Sequence, residues 1–335
     1  MTAFLPPHTL SRRSLQLGLA MAALSLGTAA LAAPPEGYPN KPIRWVVGFP
    51  AGGGTDVLAR TVGAQLTEQI KQQVVIDNKP GAAGMLAAEN VANAAGDGYT
   101  VLTGDIAILT FNDALYQKIR YDALKDFTPI ALMARFPLIV ATHPNSGIQT
   151  IQQLVADAKK PGATLSYGSA GVGTPHHMTM ELVSATTSAG MTHVPYKGDA
   201  PALQDLVGGQ IPVAVLAPSL SLPYFRSGKL RPLAVSADVR LPQLPDVPTL
   251  KELGLASNAV YAWQGLVAPK NPPPATVTYL STQLQQALAL PAVRQKLSDL
   301  GMEATPSNAS QMDQHVRTEK ALWEPLIKSR GIRAD

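Results

Sequence analysis

Hydrophobic positions along the chain follow two alternating periods. Residues 43–47, apart from Arg44, form a β-branched and aromatic run with the character of a buried strand. From Asp56 the period changes: Leu58, Val62 and Leu66 recur every four residues, which is one helical face. Residues 73–77 predict a second strand, 85–95 a second helix, and 99–102 a third strand running into Thr103-Gly104-Asp105. A β-α-β-α-β order belongs to a parallel sheet covered by helices on both faces. After an apolar strand at 137–142 the alternation begins again. Helices are predicted from Thr150 to 159, from Pro175 to 187 and over 200–207, with strands at 165–167, 191–194 and 211–216. One more apolar strand, 260–269, carries Trp263, and helices at 275–290, 292–300 and 310–328 end the chain.

These elements predict an α/β protein of two lobes, each a mostly parallel sheet flanked by helices. If the chain crosses near 142 and again near 264, residues 33–142 and 264–335 make lobe I and residues 143–263 make lobe II. In such sheets ligands sit beyond the carboxyl ends of strands. Gly52-Gly53-Gly54-Thr55-Asp56 lies at such an edge: three residues without Cβ atoms, then a helix start with unsatisfied N–H donors and a positive dipole end. That makes an anion site without a cationic side chain. Thr55 or Asp56 is placed to cap this helix. A second small-residue turn, from Gly168 to His176, repeats the device in the second half, with Pro175 suited to a first helical position. Gly53 is the position at which added bulk, such as valine, is expected to exclude a ligand.

Composition narrows the function. At 46% hydrophobic and 15% charged residues, the 335-residue chain supports a sizeable core, and with no cysteine it has neither disulfides nor thiolate metal sites. Residues 1–32 read as an export signal: Arg12-Arg13, an uncharged alanine- and leucine-rich stretch, and Ala30-Leu31-Ala32 as a small-x-small cleavage site. Ser11-Arg12-Arg13-Ser14-Leu15 also resembles a twin-arginine signal. Removal of the two arginines lowers the formal charge from +4 to +2, and no basic cluster remains, so nucleic acid is excluded as a partner. The mature protein is expected outside the cytoplasm, as a monomer without cofactor or metal.

Enzyme motifs fail on spacing. No lysine follows Gly54, so the first loop is not a P-loop, and Val57 stands where a dinucleotide fingerprint needs its third small residue. Tyr167-Gly168-Ser169-Ala170-Gly171 lacks the first glycine of a nucleophile elbow. His177 and His193 read as structural. Trp45, Trp263 and Trp323 read as packing.

Eight motifs occur in one order between 38 and 249: Tyr38-Pro39-Asn40-Lys41-Pro42-Ile43, Phe49-Pro50-Ala51-Gly52-Gly53-Gly54-Thr55-Asp56, Asn78-Lys79-Pro80-Gly81-Ala82-Ala83-Gly84, Tyr121-Asp122 with Asp126-Phe127, Gly171-Val172-Gly173-Thr174-Pro175-His176, Val194-Pro195-Tyr196-Lys197-Gly198, Gly208-Gly209-Gln210 and Leu244-Pro245-Asp246-Val247-Pro248-Thr249. Together they resemble the extracytoplasmic solute receptors of the tripartite tricarboxylate transporters, the Bug proteins. The resemblance implies a periplasmic binding protein that closes two lobes on a small organic carboxylate and presents it to a two-component membrane permease. A receptor that signals to a membrane sensor is the alternative. It further implies ligand contacts from Phe49, Ala51, Gly52, Gly53 and Thr55 on one side. On the other side it implies Ser169, Gly173, Thr174 and His176, with Tyr196 and Lys197 closing the cleft. Asp105, Pro218 and Ser219 fall where the family varies to select its ligand. Asp105 is not typical of the family, and Ile211-Pro212-Val213-Ala214-Val215 lacks an acidic residue often found there.

Overall fold

Among residues 35–334, the part of the chain that the computed structural model describes, eleven strands gather into two sheets. The export signal read at 1–32 lies outside the described residues. The first unit is β1 (Ile43–Val47), helix α1 (Gly54–Ile70), β2 (Val74–Asn78), α2 (Met85–Ala92) and β3 (Thr100–Asp105). A π-helical turn, Ala107–Phe111, runs into the short α3 (Asn112–Leu115). Next come the long β4 (Phe127–Pro137) and β5 (Ile139–Thr142). The second unit follows as α4 (Ile151–Ala158), β6 (Ser166–Ser169), α5 (Pro175–Thr187), β7 (Thr192–Pro195), α6 (Asp199–Val207), β8 (Val213–Leu216), α7 (Pro218–Arg226) and β9 (Arg231–Val235). The chain ends with β10 (Tyr261–Pro269), α8 (Pro274–Ala289), α9 (Pro291–Asp299), β11 (Glu303–Ala304) and α10 (Ala309–Ser329).

One sheet has the order β11-β4-β10-β3-β1-β2 and the other β7-β6-β8-β5-β9. In the first, β1, β2, β3 and β4 point one way and β10 and β11 the other. In the second, only β5 is inverted. The sheets are therefore mixed in their pairing although most strands share a direction. The cause is the connection between lobes: β5 and β10 are the strands by which the chain arrives from the other lobe, so each enters against its neighbours.

The crossings differ from the expected 142 and 264. β5 belongs to the second sheet and all of β10 to the first, so the chain passes over at Leu138 and again at Val260. Ser236, itself buried, clasps both passages. Its N–H donates to Leu138 O at 2.9 Å and its hydroxyl accepts from Leu138 N at 2.8 Å. Its carbonyl accepts from Val260 N at 2.8 Å, and its hydroxyl donates to Val260 O.

The core sits between each sheet and its helices. Trp45, Leu58, Leu102 and Ile130 are fully buried, and the Trp45 indole donates to Thr103 Oγ1 at 2.7 Å. Trp263 and Trp323 are buried too, and both indoles donate to Glu319 Oε2 at 3.1 Å, which pins α10 to β10.

Candidate functional site

The first half of the site grows from the end of β1. Gly48 passes against Gly84, where a Cβ would lie 2.7 Å from Gly84 Cα, so the turn is held close to its neighbour. The glycine N–H groups after it are largely spoken for. Gly52 N–H donates to Asp56 Oδ2 at 2.8 Å, and Gly53 N–H reaches Pro50 O at 3.5 Å. Asp56 is thus not a helix cap. Burial raises its pKa, but hydrogen bonds from Arg60, Gly52 and Asn78 outweigh that and hold it below the usual carboxylate range. Thr55 does not cap either: its hydroxyl accepts from Gln264 Nε2 at 2.8 Å. What remains open is the first turn of α1, whose N–H groups have no carbonyl one turn back.

Asp105 ends β3 on the same edge. Its Oδ1 accepts from Ile108 N at 2.8 Å, capping the π-helical turn. Burial pushes its carboxyl up to about 7, against the lowering effect of the Ile108 and Ala107 N–H groups.

The second half comes from the ends of β6 and β7. Ser169 is buried, 2.6 Å from His193 Nε2, and accepts from Gly171 N. Thr174 caps α5 by accepting from His177 N, and its hydroxyl donates to Gly171 O at 2.7 Å. Gly173 N–H goes to His177 Nδ1. His177 in turn stacks on His193 with ring centroids 4.0 Å apart, and Tyr167 also stacks with His193, at 5.0 Å. His176 projects from α5 toward α6: its Nε2 lies 2.8 Å from Asp199 Oδ1, with both side chains buried. The approach is not aligned as a hydrogen bond, and His176 Nδ1 has no partner.

The two halves face each other across a small cavity lined from both lobes. Thr55, Asp105, Phe136 and Gln264 come from the first sheet's side, and Thr174, His176, Gly198 and Asp199 from the second. Three helix starts border it, each through its second residue: Thr55 of α1, His176 of α5 and Ala200 of α6. The enclosed room is about 30 Å³, space for roughly two waters. The lobes touch around it. A Cβ on Gly198 would lie 2.9 Å from the Pro50 ring, one on Gly54 3.2 Å from Ala217 Cβ, and one on Gly173 2.6 Å from Leu115. Beyond the Pro50–Gly198 contact lies a wider groove of about 700 Å³, lined by Phe49, Gly81, Ala82, Val172, Tyr196 and Lys197 among others.

Of the residues singled out in the sequence, Phe49, Ala51, Gly53, Thr55, Asp105, Thr174 and His176 line the inner cavity. Tyr196 and Lys197 line the outer groove instead, and the Tyr196 hydroxyl donates to Asp205 Oδ2 at 2.7 Å. Gly52, Ser169 and Gly173 serve the loops themselves. Pro218 and Ser219 line neither space, because Pro218 packs where a Cβ of Gly301 would be, 2.5 Å away. Gln264, Phe136 and Asp199 were not singled out. Asp199 had a local signal, an acid opening a helix right after Gly198; Gln264 and Phe136 had none.

Residues 58–332 match the family model described as "Tripartite tricarboxylate transporter family receptor". Protein BugT of Bordetella pertussis is 31% identical over 318 residues, covering 94% of this chain and 98% of BugT. Among solved structures, R. palustris Rpa4515 with adipate is 34% identical with a TM-score of 0.85, covering 88% of this chain and 99% of that one. MatC from Rhodopseudomonas palustris with bound malate is 32% identical with a TM-score of 0.81, covering 87% and 100%.

Proposed function

We propose a function from one premise: the chain belongs to the tripartite tricarboxylate transporter receptor family. It is a periplasmic solute receptor, not an enzyme. It captures a small organic carboxylate by closing its lobes, and it delivers that solute, as a monomer, to a two-component membrane permease. One observation carries this reading: three helix starts from two lobes converge on one cavity without a lysine or arginine in its lining. A helix N-terminus favours an anion by about 0.3–1 kcal/mol when exposed and up to ~2 kcal/mol when partly buried. Charge-assisted hydrogen bonds from the first-turn N–H groups add to that. Micromolar affinity needs about −8 kcal/mol in total, which such a set supplies without a grip too strong for release. The adipate and malate held by the two solved relatives support the ligand class.

Thr55, His176 and Ala200 are assigned to the carboxylate through their backbone N–H groups, and Thr174 and Gly198 to the wall around it. Because the closed cavity holds only about two waters' worth of space, solute entry requires the lobes to part at the Leu138 and Val260 passages.

The test is calorimetric titration of the protein from residue 33 onward with a panel of small organic anions. At least one should bind with a micromolar Kd and be recovered unchanged. Ligand at a thousandfold excess over Kd then stabilises by about 4 kcal/mol and raises the unfolding midpoint by several degrees. No binding of any organic anion removes the receptor reading. Loss of uptake of that anion on deletion of the gene, with its transcriptional effects unchanged, tests delivery to a permease.

A further inference from the structure

The inner cavity is lopsided in charge. The side chains able to carry charge in its lining are Asp105, Asp199 and His176, two acids and one imidazole. His176 Nε2 is already directed at Asp199, 2.8 Å away. Asp105 has no such companion: among the described residues no lysine, arginine or histidine nitrogen lies within ion-pair distance of it. Gln264, 1% exposed, spends its amide N–H on Thr55 and leaves its Oε1 without a donor. The wall formed by β3 and β10 therefore presents acceptors, beside the donor start of α1 and across from the donor starts of α5 and α6.

We infer that the solute bears a cationic nitrogen as well as its carboxylate, and that Asp105 selects for it. The inference rests on the carboxylate-receptor reading above and names the solute class within it: amino-carboxylates rather than dicarboxylates. The chemistry is complementary at both ends. A carboxylate takes the first-turn N–H groups, and an ammonium supplies a cation to Asp105, which has backbone donors but no cationic partner, and a donor to Gln264 Oε1, which has none. A second carboxylate in the same place meets Asp105 as a like charge in a poorly solvated space, which disfavours both ionised forms. Leaving Gln264 Oε1 buried without a donor carries a further penalty that only a donor-bearing ligand lifts. The raised pKa of Asp105, about 7, accords with a carboxyl whose cation arrives with the ligand.

The experiment compares length-matched pairs by calorimetry at pH 7.5: β-alanine against malonate, 4-aminobutyrate against succinate, and glycine, L-alanine and L-aspartate besides. The wild-type protein should bind at least one amino-carboxylate tenfold or more tightly than any dicarboxylate in the set. Asp105→Asn keeps an oxygen for Ile108 N–H, so the fold persists, with an unfolding midpoint at or above the wild-type value. It should weaken the amino-carboxylate at least tenfold and strengthen the dicarboxylate. A wild-type protein that prefers dicarboxylates, or an Asp105→Asn protein that keeps the wild-type preference, overturns the assignment of Asp105 while leaving the receptor standing. Binding of neither class overturns this inference, while the receptor reading falls only if the wider panel of organic anions fails as well.

Discussion

Gly54→Ala tests closure at a contact between the lobes. Gly54 is the first residue of α1 and its φ is not in the left-handed region, so alanine fits the backbone and is the better helix former. The obstacle is spatial. An alanine Cβ there would lie 2.8 Å from Phe136 Cζ and 3.2 Å from Ala217 Cβ. Phe136 is 2% exposed and Ala217 fully buried, so neither has free room beside it. Ala217 precedes α7 in the other lobe, so parting the lobes relieves that contact, whereas the contact with Phe136 on β4 lies within the first lobe and costs stability in the open and closed forms alike. Overpacking of this kind costs about 1–3 kcal/mol. The part of it that falls on the Ala217 contact is charged to the closed form and lowers ligand affinity, by up to about 150-fold. Gly53→Ala is the comparison: its Cβ meets no protein atom nearer than Pro50 O at 3.6 Å, an ordinary contact, so it does not obstruct closure, and because Gly53 lines the cavity a loss of affinity there reports bulk against the ligand instead. Its cost is confined to a poorer helix cap, ~1 kcal/mol or less of stability. Calorimetric titration gives both affinities, and small-angle scattering should show a larger radius for ligand-bound Gly54→Ala than for the ligand-bound wild type. Wild-type affinity in Gly54→Ala, with an unchanged unfolding midpoint, would refute closure on this contact.

Two further perturbations probe the supports of the site. Burial, then the neighbouring His177, pushes His193 down from 6.5 to about 4 in the folded protein. A lowered histidine contributes stability that is complete above about pH 6.5 and drains away as the pH falls toward 4, because the unfolded state takes the proton first. The ring is partly exposed, so the loss should be on the order of 1–2 kcal/mol. Urea midpoints at pH 7 and 4.5 measure it, and His193→Gln should flatten the difference. Ser236→Ala removes one side chain from both lobe passages and strands Leu138 N–H and Val260 O. It should cost about 1–3 kcal/mol, lower the unfolding midpoint by several degrees, and speed amide exchange at Leu138. Unchanged exchange there would mean the passages are held by strand pairing alone.

Amphipathic helices were the most legible part of this chain. The helix read at 150–159 is Ile151–Ala158, and Thr150 caps it by accepting from Gln153 N. The helix read at 310–328 is Ala309–Ser329, although Asn308, with Gln311 in a capping box, starts it rather than Ser310. Strands hidden on both faces were less legible. β4 has no alternation to read: its apolar residues face helices on both sides, and it carries Pro129 and bulges against β10. β9 is short and interrupted by Pro232. In the site, glycine turns and helix starts announce themselves locally, whereas Gln264 and Phe136 reach the cavity on strands from elsewhere in the chain. Their contribution depends on sheet order, which no local pattern encodes. Tyr196 shows the converse: its loop announces itself locally, but that its ring lines the outer groove and its hydroxyl is tied to Asp205 is visible only in the fold.

The glycines and the donors divide their labour differently from what a glycine-rich loop suggests. Gly52, Gly171, Gly173 and Gly198 each give their N–H to the protein itself. Their contribution is absence of bulk: Gly173 and Gly198, at φ of +75 and +110, sit where any Cβ would strike the opposite lobe. The donors free for a ligand are those of the second helical residues, which no side-chain change short of proline removes. On the proposed reading, selectivity then falls to the few polar side chains among them, Asp105, Gln264 and the His176–Asp199 pair. The proposed closure would be coupled to occupancy for the same reason. Helix starts from the two lobes present like positive ends to one small space, which resists closing until an anion lies between them. A ligand moves that equilibrium only by its preference for the closed form, and a hundredfold preference is about 2.7 kcal/mol, within the reach of three such ends.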